Sequence, residues 1–178
     1  ELIRKEMVLA DLPSTDGMLF NMVIGPDARN IKDMVAWDLI SHIIGGNDNI
    51  ASLGNIEIVE EKKLVQSMDT GAIDYVGGSP LYTYATVKAA KINEAEDAMR
   101  SLYERFKTGD ISDYDIELAK ADLEFGHIKG SSSKRSSMLS TIAHYEKAGV
   151  IEEVFGQKYI NLLNSITKDD LQRVATEY

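Results

Sequence analysis

The histidines are the side chains of this sequence with the clearest capacity for metal or acid–base chemistry. Hydrolytic zinc sites place two histidines one turn apart on a helix, with a glutamate beside one of them as general base. His42, however, is followed by Ile43, Ile44, Gly45 and Gly46, so it has neither a second ligand nor a base one turn later. We expect His42 to lie near a helix C-terminus, where a histidine interacts favourably with the helix dipole.

The other two histidines also favour structural roles. Glu124 and His127 are three residues apart, a spacing that can ligate a metal when carboxylates converge from neighbouring helices. Without evidence for such carboxylates, we interpret them as a local pair on one helix face. His144 and Glu146 are two residues apart and do not share a helix face. We therefore expect no metal site on this chain.

Motifs for nucleophilic or phosphate chemistry are missing from the sequence. It contains no cysteine and no Gly-x-Ser-x-Gly elbow, and its serine-rich segment at 131–137 is typical of a loop. Gly45-Gly46 and Gly77-Gly78 are not followed by Lys-Ser or Lys-Thr, so they indicate a helix stop and a hairpin turn. We assign no catalytic residue to the chain from its own motifs.

Tyr82 and Tyr84 are the candidate substrate-binding residues. They alternate along a predicted strand, where cross-strand packing is the usual role of such a pair. If that strand lies at an exposed sheet edge, both side chains could guide an extended peptide by strand addition. A second candidate, the acidic run Glu57, Glu60 and Glu61, is more typical of a solvated helix end.

Composition limits the classes of partner. The 178 residues include 19 Lys+Arg and 29 Asp+Glu, a net charge of −10 that disfavours nucleic acid and anionic membranes. The sequence has no apolar run of the ~18 residues that a membrane span requires. Without cysteines it forms no disulfide or thiolate metal site, which leaves the compartment open. Because the chain opens on Glu1 rather than Met, we expect it to be an excised piece of a longer protein.

The pattern of elements predicts a single α+β domain over residues 1–178. Its strands are expected at 7–12, 18–24, 64–76 and 81–89, and its helices at 31–44, 49–62, 93–109, 113–129, 134–147, 150–166 and 168–177. Asn30 is expected to be the N-cap of the first helix, and Thr167 with Asp170 to cap the last one. Strands grouped before a run of helices indicate a mostly antiparallel sheet of about five to six strands, with helices packed on one face.

Five segments in a fixed order carry a family resemblance. They are a strand leading into Gly25-Pro26, residues 32–46 ending in Ile-Ile-Gly-Gly, residues 53–67, residues 106–120 with Ile-Ser-Asp-Tyr-Asp-Ile-Glu-Leu-Ala-Lys at their end, and Ile-Thr-Lys-Asp-Asp-Leu at 166–171. Together they cover nearly the whole chain. In order and spacing the chain resembles the second, non-zinc domain of the insulinase/pitrilysin-type zinc metallopeptidases.

This resemblance implies a multidomain peptidase. Members of the insulinase/pitrilysin-type family pair two or four similar α+β domains into a hollow clamshell that encloses a peptide. Zinc is bound by a His-x-x-Glu-His motif on the first domain, and a later domain contributes an Arg and a Tyr that bind substrate and stabilise the tetrahedral intermediate. The expected partners are thus a zinc-bearing domain, on the same or a partner chain, and a peptide substrate.

This chain departs from the family at both catalytic motifs. It contains no His-x-x-Glu-His, and residues 60–66 stand where the family has R-E-x-x-G-L-x-Y. Glu60, or Val59 after a one-residue gap, replaces the Arg, and Gln66 replaces the Tyr. Since a glutamate would repel an oxyanion, no catalytic residue is transferred to this chain, and zinc is expected only on the parent protein.

Three functional hypotheses follow. The first is a non-catalytic, substrate-enclosing domain of a zinc-dependent metalloendopeptidase. The second is a degenerate, non-peptidase scaffold or assembly module of the same fold, which a missing upstream His-x-x-Glu-His would favour. The third is an unrelated α+β binding domain whose motif order is coincidental.

Overall fold

A computed structural model describes residues 16–45, 50–131, 142–143 and 145–178. Its strands are β1 (Asp16–Ile24), β2 (Val65–Ala72) and β3 (Pro80–Lys88). Its helices are α1 (Ile31–Ile44), α2 (Ile92–Thr108), α3 (Asp113–Ser131), α4 (Gln157–Ser165) and α5 (Lys168–Glu177). A π-helical turn at Asn55–Glu61 precedes β2, and a 3-10 turn at Ala89–Lys91 joins β3 to α2.

β3 is the central strand of the described sheet. It pairs antiparallel with β1 on one side and with β2 on the other. The pairing of β2 shifts between Val65 and Ser67, so Gln66 is the extra residue of a β-bulge. Because side chains alternate across a strand, Leu81, Thr83, Ala85 and Val87 of β3 are all buried on one face.

The helices cover that buried face. α1 packs against β2, and α2 packs against β1 and β3, while α3, α4 and α5 pack against α1. The core between and among these layers includes large, fully buried side chains: Met34, Leu39, Ile44, Leu81, Val87, Met99, Phe106, Leu163 and Leu171. Among the described residues, no helix has both the length and the apolar character required to cross a bilayer.

α1 is buried along most of its length, and its polar groups have partners on other elements. Asp33 accepts hydrogen bonds from both terminal nitrogens of Arg173 on α5, at 3.2 Å from Nη1 to Oδ2. Trp37 Nε1 donates to the carbonyl oxygen of Ser79 at 3.1 Å. Pairing of this kind offsets the cost of burying polar groups.

The predicted α+β class, the antiparallel pairing and the helices on one face are confirmed. The expected five to six strands are not, since the described residues contribute three. The strand expected at 7–12 and most of the helix expected at 134–147 lie outside the described residues. Strands at 65–72 and 80–88 match the expected pair, the first ending at Ala72 rather than residue 76.

Two predicted helices are shorter than expected. The one expected at 49–62 contains a π-helical turn, in which Lys62 N donates to the carbonyl of Glu57 at 3.0 Å. The one expected at 150–166 begins only at Gln157, because turns precede it and Gly156 has a left-handed φ of 60°. These turns still bury Val150 and Val154, which explains the apolar pattern there.

The predicted caps differ in outcome. Thr167 and Asp170 form the expected capping box at the start of α5. Asn30 precedes α1 but makes no side-chain cap, and its Nδ2 donates instead to Asp33 Oδ2 at 2.7 Å. Because Asp33 also binds Arg173, the Asn30 side chain contributes to the connection between α1 and α5.

Because Gly25 and Trp37 are in close contact, one added methyl group at Gly25 should strongly lower the stability of the fold. A Cβ at Gly25 would lie 2.3 Å from Cε2 of Trp37, a buried ring that cannot move aside. Gly25→Ala should lower the free energy of unfolding by about 1–3 kcal/mol, as overpacking does. Urea denaturation measures this value.

Gly126→Ala is the matched control. Gly126 lies within α3, and no neighbouring heavy atom approaches within 4 Å of a Cβ built there. This substitution should raise stability by roughly 0.5–1 kcal/mol, since alanine favours the helix. Equal effects of the two substitutions would contradict the packing described for Trp37.

Candidate functional site

The face of the sheet opposite the helices carries a row of exposed apolar side chains. We call this surface the open face. Met18, Phe20, Met22 and Ile24 of β1 are between 54% and 73% exposed. The neighbouring positions of the open face, by strand register, are Tyr82, Tyr84 and Thr86 on β3, and Ser67, Asp69 and Gly71 on β2. Contiguous exposed apolar surface of this kind marks interaction sites.

Three aromatic rings stand nearly parallel on the open face. The ring centroids of Phe20 and Tyr82 are 6.3 Å apart with planes at 15°, and those of Tyr82 and Tyr84 are 6.4 Å apart with planes at 14°. Tyr82 lies over Gly71, where a Cβ would be 2.6 Å from its hydroxyl oxygen. The missing side chain at Gly71 therefore provides the space in which the Tyr82 ring lies.

The structure places both predicted substrate-binding residues, Tyr82 and Tyr84, on the open face. The cross-strand packing expected of them is present, since Tyr84 lies opposite both Phe20 and Asp69. Strand addition at β3 is excluded, because β1 and β2 already occupy both of its edges. Any peptide at Tyr82 and Tyr84 would therefore contact side chains rather than the backbone of β3.

Asp69 is a residue of this surface that the sequence reasoning missed. Its Oδ2 accepts a hydrogen bond from the hydroxyl of Tyr84 at 2.9 Å. The apolar face of β1 was missed as well, although its signal is in the sequence: Met18, Phe20, Met22 and Ile24 are apolar at period two, and so are Leu19 and Val23 on the other face. A strand that is apolar on both faces indicates contact on both sides.

The histidines do not form a metal site within the described residues. His42 lies at the end of α1 as expected, and its Nε2 is 2.7 Å from Oδ2 of Asp122 on α3. His127 stacks on Tyr159, with ring centroids 4.4 Å apart, rather than pairing with Glu124. His144 lies outside the described residues. Nowhere in the described ranges do three or more His, Asp or Glu side chains gather as potential metal ligands.

The acidic segment before β2 is partly structural. Glu57, within the π-helical turn, pairs with Arg105 on α2. Glu60 and Gln66, expected at the positions of the family's Arg and Tyr, are both exposed, and Val59, the alternative to Glu60, is half-buried. None of these side chains can provide the positive charge that stabilises an oxyanion.

A partly buried cluster of two aspartates and two tyrosines lies between α1, the segment after β2 and α4. The hydroxyl of Tyr145 donates to Asp74 Oδ2 at 2.6 Å. Burial raises the pKa of Asp38 well above its ordinary value, and the nearby carboxylate of Asp74 raises it further. Burial likewise raises the pKa of Tyr145 and of Tyr159. Asp38 therefore retains its proton in the folded state at a pH where an exposed aspartate is ionised.

The raised pKa of Asp38 predicts that Asp38→Asn stabilises the folded chain by an amount that depends on pH. The folded state binds this proton more tightly than the unfolded state, so the stability that it contributes is full in acid and is lost as pH rises above the ordinary value of 3.8. An amide imitates the protonated acid at every pH. The variant should be more stable than the native chain at pH 8, by on the order of 1–2 kcal/mol, with a smaller gain at pH 5.

Urea denaturation across this pH range measures the difference. Asp97→Asn, an exposed position on α2, is the control and should show no such trend. A gain from Asp38→Asn that is constant or shrinks between pH 5 and pH 8 would contradict the protonated state of Asp38.

Comparison with known proteins agrees with this fold. The structure defines the class of the protein: it is an α+β domain whose described part contains no cluster of metal ligands. Residues 2–123 match the family described as the peptidase M16 inactive domain. This match spans well over half of the chain, so the chain belongs to the peptidase M16 family, and the metallopeptidase resemblance of the sequence is confirmed.

Solved structures share the fold at low sequence identity. A protease from Helicobacter pylori has a TM-score of 0.78 and 22% identity, over 90% of this chain and 38% of that one. The inactive peptidase domain of a proposed zinc protease from Bordetella parapertussis has a TM-score of 0.76 and 17% identity, over 97% of this chain and 90% of that one. A chain of Complex III2 from Candida albicans has a TM-score of 0.73 and 16% identity, over 94% of this chain and 41% of that one.

Two of these matched chains, from Helicobacter pylori and Candida albicans, are more than twice as long as the present chain. The chain spans 38% of the length of the Helicobacter pylori protease. No curated protein matches the sequence.

Proposed function

We propose that this chain is a non-catalytic, substrate-enclosing domain of a zinc-dependent metalloendopeptidase that hydrolyses peptides in a closed chamber. The observation that carries the proposal is the open face, where β1 exposes four apolar side chains beside Tyr82 and Tyr84. The helices cover the opposite face of the sheet, so the open face is the surface left to line a chamber. Aromatic and apolar side chains contact peptides of varied sequence, as a chamber wall requires.

The catalytic centre in this proposal lies on a second domain of the same or a partner chain. That domain would carry the His-x-x-Glu-His motif, whose histidines would hold zinc, and the bound metal would supply Lewis-acid activation of water. The present chain, as one domain over residues 1–178, binds and encloses the peptide.

One comparison supports a second candidate function. A chain of Complex III2 from Candida albicans has the same fold at a TM-score of 0.73. A domain of this fold can thus belong to a large assembly, and the open face would then bind another subunit. The complete gene discriminates between the two candidates, because a His-x-x-Glu-His motif upstream of this domain supports the peptidase and its absence supports the assembly module.

Replacement of both Tyr82 and Tyr84 by alanine in the complete protein tests the proposed function. Each ring contributes about 0.5–1.5 kcal/mol to an aromatic contact, so the double variant should raise KM for peptide hydrolysis roughly tenfold. Because neither residue acts in the chemical step, kcat should change by less than about twofold. Steady-state kinetics on a fluorogenic peptide gives both constants.

Tyr114→Ala is the matched control for this experiment. Tyr114 is 74% exposed but lies on α3 in the helix layer, away from the open face. Its loss should leave both constants unchanged. A KM unaffected by the double substitution would overturn the role of the open face in binding substrate.

A further inference from the structure

Two methionines of β1 lie on the open face, one on each side of Phe20. Met18 is 73% exposed and Met22 is 54% exposed. The strand register places Met18 opposite Thr86 and Met22 opposite Tyr82. Alternate residues of a strand are about 7 Å apart, so both methionines are neighbours of Phe20. A chemical change at their sulfur atoms would therefore alter the open face beside its aromatic residues.

The other methionines that the structure describes lie in the core. Met34, Met68 and Met99 are at most 5% exposed. Hydroperoxides oxidise the thioether sulfur of methionine, and a sulfur enclosed in a packed core reacts only when the fold opens around it. The described methionines therefore fall into an accessible pair on one face of the sheet and a protected set in the core.

We propose that Met18 and Met22 form a reversible oxidation site, at which a hydroperoxide makes an apolar part of the open face polar and weakens its binding of apolar peptide segments. A sulfur lone pair attacks the terminal oxygen of the hydroperoxide, the O–O bond breaks, and the proton of that oxygen passes to the departing alkoxide, which leaves as an alcohol. The sulfur loses two electrons to the peroxide and becomes a sulfoxide. Methionine sulfoxide reductases reverse the change with a pair of thiols, which become a disulfide while the oxygen leaves as water.

The effect on peptides rests on the proposed function, whereas the reactivity of the two sulfur atoms does not. A methionine side chain is flexible and polarisable, which suits a surface that contacts varied apolar ligands. A sulfoxide oxygen accepts hydrogen bonds from water, so contact with an apolar side chain carries the cost of losing them. Because Met18 and Met22 lie outside the core, oxidation should lower peptide binding without unfolding the domain.

Treatment of the 178-residue chain with hydrogen peroxide, followed by mass spectrometry of its proteolytic fragments, tests the site. Met18 and Met22 should be oxidised at least about tenfold faster than Met34 and Met99. The midpoint of urea denaturation should shift by less than roughly 0.3 M when both exposed sulfur atoms are oxidised, as for a change on the surface. Similar rates at all four methionines, or a larger shift of the midpoint, would overturn the proposal.

Peptide binding is measured by NMR titration of the nitrogen-15-labelled chain, with acetyl-Leu-Ser-Phe-Ser-Leu-amide as a neutral apolar probe. Peroxide treatment should weaken binding of this peptide by about fivefold, and methionine sulfoxide reductases should restore it. Met18→Gln with Met22→Gln places a polar amide where the sulfoxide would be. This double variant should bind the peptide about as weakly as the oxidised chain without any peroxide.

Leucine at both positions removes the sulfur atoms and keeps the apolar character. In Met18→Leu with Met22→Leu, which retains every other methionine, peroxide should change the affinity by less than about twofold. Met34→Leu, a volume-conserving change in the core, is the matched control and should still lose about fivefold on oxidation. An equal loss in the double leucine variant and the native chain would contradict a role of these two sulfur atoms.

The outcomes separate this proposal from the proposed function. Peptide binding that is unchanged by oxidation of Met18 and Met22 would overturn the proposal and leave peptide contact by the open face standing. If the peptide does not bind the unoxidised chain, or binds without shifts of amides on β1 and β3, both are wrong.

Discussion

The burial of α1 is the constraint on which the rest of the structure depends. This helix lies between the sheet and the other helices, and two of its buried polar side chains have partners from distant parts of the chain. Asp33 obtains Arg173 from the C-terminal helix, and His42 obtains Asp122 from α3. A polar group left unpaired at such a position would cost about 1–3 kcal/mol. The pairs therefore determine how the helices are arranged around α1, and through it how the covered face of the sheet is closed.

Local signals in the sequence predict much of this fold. The Thr167–Asp170 capping box, the helix stop after Ile44 and the alternation through Tyr82 and Tyr84 each depend on residues close together in the chain, and the structure contains all three. The order of the predicted elements indicates the α+β class and the antiparallel pairing, and the resemblance of five ordered segments indicates the metallopeptidase family. Turns that bury Val150 and Val154 imitate a helical pattern, because burial alone does not distinguish the two.

Only part of the candidate site could be predicted from the sequence. Two tyrosines at period two were visible, but the position of β3 at the centre of the sheet depends on which strands pair, and pairing joins residues far apart in the chain. The same holds for Asp69, which becomes part of the surface only through its register opposite Tyr84. The partnership of Asp38 with Asp74 is likewise a long-range consequence of packing.

The two occupied edges of β3 have a consequence for how a bound peptide could move. Backbone hydrogen bonds fix the register and direction of an added strand, whereas side-chain contacts fix neither. A peptide held on Phe20, Tyr82 and Tyr84 could lie in either direction and advance by two residues without losing a ladder of bonds. Such a wall would not fix one register of the peptide but would allow it to slide along the surface. A long substrate could then be cut repeatedly and its fragments could leave.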